Sequence, residues 1–210
     1  MLKAISRERI REELYRLLES ARPVMGLEAV AQSGLWEAIF GVKRVSLPAD
    51  LRQLKLNWVP TPIHWICALG VTGLLGDPQT EGDQIVERLG TLIRLTNIEK
   101  RMLKQVLSVY SDSSDVPAHS PLDWIELARA DKPLMDFTKS FIRRARGPTE
   151  DQKVKAVQLV DQVLRWAAKP GSEDAWPNAD LLMKKEGLKG AKLGVELKAR
   201  QWQAFWEKRP

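Results

Sequence analysis

Apolar residues recur at helical spacing along almost the whole chain, and nowhere do they alternate over the length a strand needs. Ser6 is placed to cap a first helix that carries Ile10, Leu14, Leu17 and Leu18 on one face, the i, i+4, i+7, i+8 pattern. Pro23 starts a second helix, with Leu27, Val30 and Ala31 inward and Gly34 at its end. Trp36, Ile39 and Phe40 make a short apolar turn, and Pro48 opens a short helix with Leu51 and Leu54. Pro60-Thr61-Pro62 is a rigid bend before a buried helix, Ile63 to Leu69. Ile85, Leu89 and Leu92 mark a helix from Glu81 to Ile93. Thr96 with Glu99 is a capping box, and the helix it opens should turn Ile98, Met102, Val106 and Leu107 inward. The fold class that follows is all-α: an elongated array of helices with no sheet.

Ser111 to Pro121 (SDSSDVPAHSP) is the clearest loop, rich in Ser, Asp and Pro. It sets residues 1–110 apart from residues 122–210, which are expected to pack as two successive helical layers. Beyond it, Ser120 caps one helix, and Leu134, Phe137, Phe141 and Ala145 share a face of the next. Thr149 with Gln152 is a second capping box, opening a long helix to about Ala168. After a second loop, Lys169 to Asn178, the tail reads as a short helix, a glycine-punctuated turn and a final helix with Leu193, Leu197, Trp202 and Trp206 inward. No repeat of fixed period is present.

Several chemistries find no residues to carry them. The longest apolar run, Ile63 to Leu74 with His64 and two glycines in it, falls well short of the roughly 20 residues that a membrane span requires. The opening MLKAISRERI lacks the apolar stretch of a secretory signal. The lone Cys67 allows no internal disulfide and suits a reducing compartment: the cytoplasm, or alternatively the mitochondrial matrix. His64 and His119 are too few for a histidine metal site. His64 and Cys67 lie one helical turn apart, but Trp65, Ile66 and Leu69 around them point to a buried thiol rather than a nucleophile. His119 reads as part of a surface turn, and Asp112 and Asp115 as solvated loop acids. No phosphate-binding glycine loop or H-E-x-x-H motif occurs.

Charge is where the sequence speaks. Residues 1–138 hold 17 Lys and Arg against 18 Asp and Glu, whereas residues 139–210 hold 16 against 9. The whole positive excess therefore lies in the last third, the partition expected of a chain that meets a polyanion such as RNA or DNA. Arg143, Arg144 and Arg146 form one basic cluster, at a helix end where they also suit the dipole. Lys184, Lys185, Lys189 and Lys192 form another around Gly187, Gly190 and Gly194. Glycines allow backbone amides to approach a phosphate and the lysines add charge; a helix end with solvated lysines would read the same way.

Two ends of the chain resemble class II tRNA nucleotidyltransferases, the CCA-adding enzymes and bacterial poly(A) polymerases. Ile5 to Gly34, with I-S-R-E-R-I-R-E-E-L-Y-R-L-L and then L-E-A-V-A-Q-S-G-L, resembles the segment that follows their catalytic head. There an R-x-x-x-E element, matched by Arg9 and Glu13, braces the neck and does no chemistry; at i, i+4 on one helix these two can pair. Ile93 to Arg101 (IRLTNIEKR) is similar to the start of the family's body helix. Asp180-Leu181-Leu182 followed by Gly187 to Gly194 is similar to its tail, with Lys189 where the family often has proline.

What the resemblance implies is a neck, body and tail without a head. The family's D-x-D carboxylate pair, its R-R-D element and its E-D-x-x-R nucleotide template have no counterpart; Glu150-Asp151 is followed by Gln152, Lys153 and Val154. Magnesium and CTP or ATP would belong to that missing head, so no catalytic or metal-binding residue is expected and the chain alone should not polymerise nucleotides. The implied partner is RNA, first of all tRNA, held at Arg143, Arg144, Arg146, Lys184, Lys185, Lys189, Gly190 and Lys192. Three readings stay open: the RNA-binding portion of such an enzyme, which could work with a separate catalytic head; a headless relative serving a ribonucleoprotein such as a mitochondrial ribosome; or a helical protein-binding scaffold.

Overall fold

The helix that follows the Pro60-Thr61-Pro62 bend is apolar nearly all round, and the other helices are arranged about it. In the computed structural model this is α4 (Pro62–Val71), in which every residue but Ile63 is buried. The structure describes residues 5–43, 46–48, 51, 58–112, 119–171 and 176–207, without the side chain of Lys185. Leu54, Asp115 and the middle of the Ser111 to Pro121 loop lie outside the described residues.

Twelve helices and no strand occur among the described residues, so the protein is an all-α multi-helix array. Before α4 come α1 (Arg7–Leu18), α2 (Pro23–Gln32) and α3 (Leu35–Phe40). After it follow α5 (Gly82–Leu92), α6 (Asn97–Leu107), α7 (Val109–Asp112), α8 (Pro121–Ala130), α9 (Lys132–Ile142), α10 (Glu150–Ala167), α11 (Ala179–Glu186) and α12 (Gly190–Glu207). The ends obey the local rules that the sequence displays. Ser6 accepts from the Arg9 amide, Thr96 and Thr149 close capping boxes with Glu99 and Gln152, and Ser120 does so with Asp123.

One cluster of buried side chains runs from Ile10 on α1 to Phe205 on α12. The central helix α4 packs on α6 and α9, and α10 packs on α7, α8 and α9, so the helices before and after residues 111–121 share one core. Gly70 makes the α4–α6 approach possible: a Cβ there would lie 2.7 Å from Cδ2 of the buried Leu107. Aromatic rings fill the α4–α9 contact, with Trp65 edge-on to Phe137 at 5.1 Å.

Two inward assignments and one outward assignment need correction. Ile98 is 74 % exposed, and Leu103, Val106 and Leu107 form the buried face of α6. That face also carries Glu99, one position on from Ile98, because its carboxylate is bonded to two side chains of α1. Trp206 is 47 % exposed although Trp202 and Phe205 beside it are buried. Asp112 is 1 % exposed: helix continues into the segment read as loop, and this acid is anything but solvated.

Candidate nucleic-acid interface

Each basic cluster occupies a helix end. Arg143, Arg144 and Arg146 follow the last turn of α9, where the backbone amide of Arg146 donates to the Thr72 carbonyl and fixes the turn. Arg144 folds back onto the Ser140 carbonyl at 2.5 Å, one of the carbonyls that a helix end leaves open, so this residue serves its own helix. Arg143 and Arg146 are exposed.

The second cluster lies on the hairpin of α11 and α12. Gly187, at φ +66°, ends α11 in the left-handed conformation, and Gly190, at φ +58°, is the first residue of α12. Helix therefore begins inside what the sequence suggests is a glycine turn, and Lys192 and Gly194 stand on its opening turns. Lys189 immediately precedes them, at the end where backbone amides point outward. Arg200 reaches from α12 to both oxygens of Glu186, at 2.5 and 2.8 Å, and to Glu196 at 2.6 Å. Two of the hairpin's acids are thus taken up internally, while Lys184, Lys189 and Lys192 are exposed and, among the described residues, make no ion pair. Lys185 is on the same helix, α11.

The expected neck brace is wired differently. Arg9 and Glu13 do not pair; Glu13 bonds Arg16 at 3.3 Å. Both instead edge a groove of about 250 Å³ floored by Ile10, Leu14, Leu17 and Val30. The residues that brace α1 are Arg11 and Tyr15. Arg11 donates to both oxygens of Glu99, at 2.9 and 3.0 Å, and to the Arg94 carbonyl, while its guanidinium lies 4.5 Å from the Tyr15 ring centre. The Tyr15 hydroxyl adds a bond to Glu99 at 2.6 Å. Burial opposes ionisation of Glu99, yet the bonds from Tyr15 and Thr96 together with the Arg11 charge outweigh it and hold the carboxyl below its usual range. The signal lay in the sequence just beyond the family element: Arg11 and Tyr15 have the same i, i+4 spacing as Arg9 and Glu13.

Cys67 is no nucleophile. Cys67 is fully buried, and desolvation pushes its thiol up, away from the reactive thiolate. Its neighbour His64 is occupied elsewhere: Nδ1 accepts from the Thr61 amide at 3.0 Å, so the proton sits on Nε2 and is donated to Asp131 at 2.6 Å. Asp131 uses its other oxygen to cap α9 at the Leu134 amide.

Ser108, His119 and Asp112 are the residue types of a hydrolytic triad, but their wiring is not. The Ser108 hydroxyl lies 2.7 Å from Asp112 Oδ2 and 2.8 Å from His119 Nδ1, the same nitrogen that faces the carboxylate at 2.9 Å. A base that activates serine must present its other nitrogen. The trio is structural. Asp112 also accepts from the Trp124 indole and the His119 amide; burial opposes its ionisation, but the bonds from the His119 and Ser108 side chains, with these two, outweigh it and hold the carboxyl below its usual range. The His119 carbonyl in turn accepts from Trp202, so the residue read as a surface turn ties α8, α7 and α12 together.

Among the described residues no group of three or more His, Cys, Asp or Glu could hold a metal ion. Nor, among them, is any helix long and apolar enough to cross a membrane.

Residues 1–42 match a protein family described as "Probable RNA and SrmB- binding site of polymerase A". This span is α1 to α3, including both Arg9 and Glu13 and the working brace, Arg11 and Tyr15. It corresponds to the poly(A) polymerase side of the resemblance. No curated protein matches, and no solved structure does. The matched span is electrically balanced, with six Lys and Arg and six Asp and Glu, so it does not coincide with the basic last third.

Proposed function

We propose that this chain binds structured RNA, tRNA above all, as a helical neck, body and tail of the poly(A) polymerase and CCA-adding type. The observation that carries the reading is the match of residues 1–42 to the RNA-binding region of polymerase A. The exposed lysines of the α11–α12 hairpin support it and give phosphates a place to dock. Phosphate contacts carry no base identity, so the grip is on shape and charge. Catalysis in this reading belongs to a nucleotidyltransferase head outside these 210 residues, together with magnesium and the incoming CTP or ATP.

A salt titration tests it. Binding to tRNA, followed by filter retention or fluorescence anisotropy, should weaken steeply between low and physiological salt, with a log–log slope on the order of −3 to −5 if several phosphates are neutralised. A flat response, or no binding at low salt, removes the reading. Incubation with magnesium, CTP, ATP and tRNA lacking its 3′ end should yield no added nucleotide; addition at stoichiometric protein would reveal an active site in this chain.

A further inference from the structure

We infer that Trp206 and Arg165 form a platform for one unpaired nucleotide, the base stacking on the indole and its phosphate meeting the guanidinium. This rests on the RNA reading above and adds to it a contact that a purely double-stranded RNA would lack.

The inference starts from an exposure that the core does not explain. Trp202 and Phe205, on the same end of α12, are buried, and the Trp202 indole is spent on the His119 carbonyl at 2.9 Å. Trp206 packs against both, nearly parallel to Trp202 (23°, 6.4 Å between ring centres) and edge-on to Phe205 at 5.0 Å. Even so, almost half of it remains in solvent. Partly supported on one side, the largest aromatic side chain is offered at the surface.

It is also held still. The Phe205 carbonyl, one of the groups that the last turn of a helix leaves open, accepts from two side chains of α10: Gln162 at 3.0 Å and the Trp166 indole at 3.3 Å. The backbone that carries Trp206 is therefore pinned before any ligand arrives, and an anchored side chain loses little freedom on binding.

A positive charge is tied into the same relay. The Gln162 amide that donates to the Phe205 carbonyl accepts, through its oxygen, from exposed Arg165 at 3.4 Å. A single amide thus bridges the guanidinium to the residue before Trp206. An exposed indole joined through this relay to an exposed arginine suits a ligand that is aromatic and anionic at once, and a nucleotide has both properties. In duplex RNA the bases are stacked on one another and out of reach, so the platform selects unpaired ones.

The test uses the full chain and two labelled RNA hairpins, one blunt and one with a short single-stranded 3′ extension. Trp206→Ala should weaken binding of the extended hairpin about 5- to 150-fold, the range that loss of one base–aromatic stack produces, and change the blunt one less than about twofold. Trp206→Phe, which keeps an aromatic face, should restore most of the loss. Arg165→Gln should weaken the extended hairpin and make its salt slope shallower by about one unit. Equal loss for both hairpins would mean that Trp206 supports the fold or binds something else, such as a protein, and would overturn the platform. So would unchanged affinity for the extended hairpin. If wild-type chain binds neither hairpin, the RNA reading itself has failed.

Discussion

Arg11 and Glu99 stand 88 residues apart in the chain and meet through two hydrogen bonds, at 2.9 and 3.0 Å. This pair, with Tyr15 bonded to the same carboxylate, fixes the first helix against the start of α6. The second oxygen of Glu99 also caps α6 through the Thr96 amide at 2.7 Å, so one carboxylate serves a tertiary contact and a helix end together.

Arg11→Ala should therefore destabilise the protein by about 1–3 kcal/mol, because it strands a largely buried carboxylate. For a chain of this size that is a fall in Tm of roughly 2–4 °C per kcal/mol. Arg9→Ala, which touches the residue of the family motif, should change stability by less than about 0.5 kcal/mol. Urea unfolding of the two variants side by side decides which arginine is the brace; equal effects would refute the assignment.

Asp112 makes the fold acid-sensitive. Its carboxyl is depressed in the folded chain, so its contribution is full above the ordinary unfolded value, about 3.9, and is lost as pH falls through the folded value. Asp112→Asn should cost about 2–4 kcal/mol at neutral pH, since one amide cannot accept all that the carboxylate accepts. The variant should also lose less further stability between pH 5 and pH 3 than the wild type does. Stability curves by urea titration across that range would show parallel acid limbs if Asp112 were unimportant.

Cys67 should resist modification. With a buried thiol whose ionisation is suppressed, the native chain should leave a thiol reagent unreacted at pH 8, and labelling should appear with urea at the unfolding midpoint. Rapid labelling without denaturant would place the thiol in an accessible site.

The helix ends were legible because capping is local: Ser6, Thr96, Ser120 and Thr149 each act within three residues of themselves. The inward faces were legible where apolar periodicity is unbroken, as in α9 with Leu134, Phe137 and Phe141. Reading failed where a polar group is buried by a distant partner. Glu99 displaces Ile98 from the core because Arg11 answers it, and Asp112 is buried because His119 and Trp124, seven and twelve positions on, come to it. The i, i+4 spacing of Arg11 and Tyr15 places both on one face of α1, but nothing near either residue names Glu99, and nothing near Asp112 names Trp124. At the candidate interface, sequence identified the lysines as charges but not that Arg200 takes up Glu186 and Glu196 and so leaves those lysines uncompensated.

The last prediction separates the two places where RNA could be held. Family similarity covers residues 1–42, which are balanced in charge, while the positive excess lies in residues 139–210. Counterion release follows the lysines and arginines that meet phosphate, so the basic hairpin should dominate the salt dependence. Lys189→Ala with Lys192→Ala should weaken tRNA binding and make the log–log slope shallower by about one unit for each phosphate no longer neutralised. Both side chains are exposed and make no ion pair among the described residues, so the fold should not suffer. Arg101→Ala with Lys132→Ala, exposed charges elsewhere on the body, should do neither. Arg9→Ala with Arg22→Ala probes two exposed arginines of the matched span. If that pair reduces affinity and slope more than the hairpin pair does, RNA lies across α1 and α2, and the hairpin lysines are solvated charge. If all three pairs act alike, binding is diffuse electrostatic attraction with no defined face.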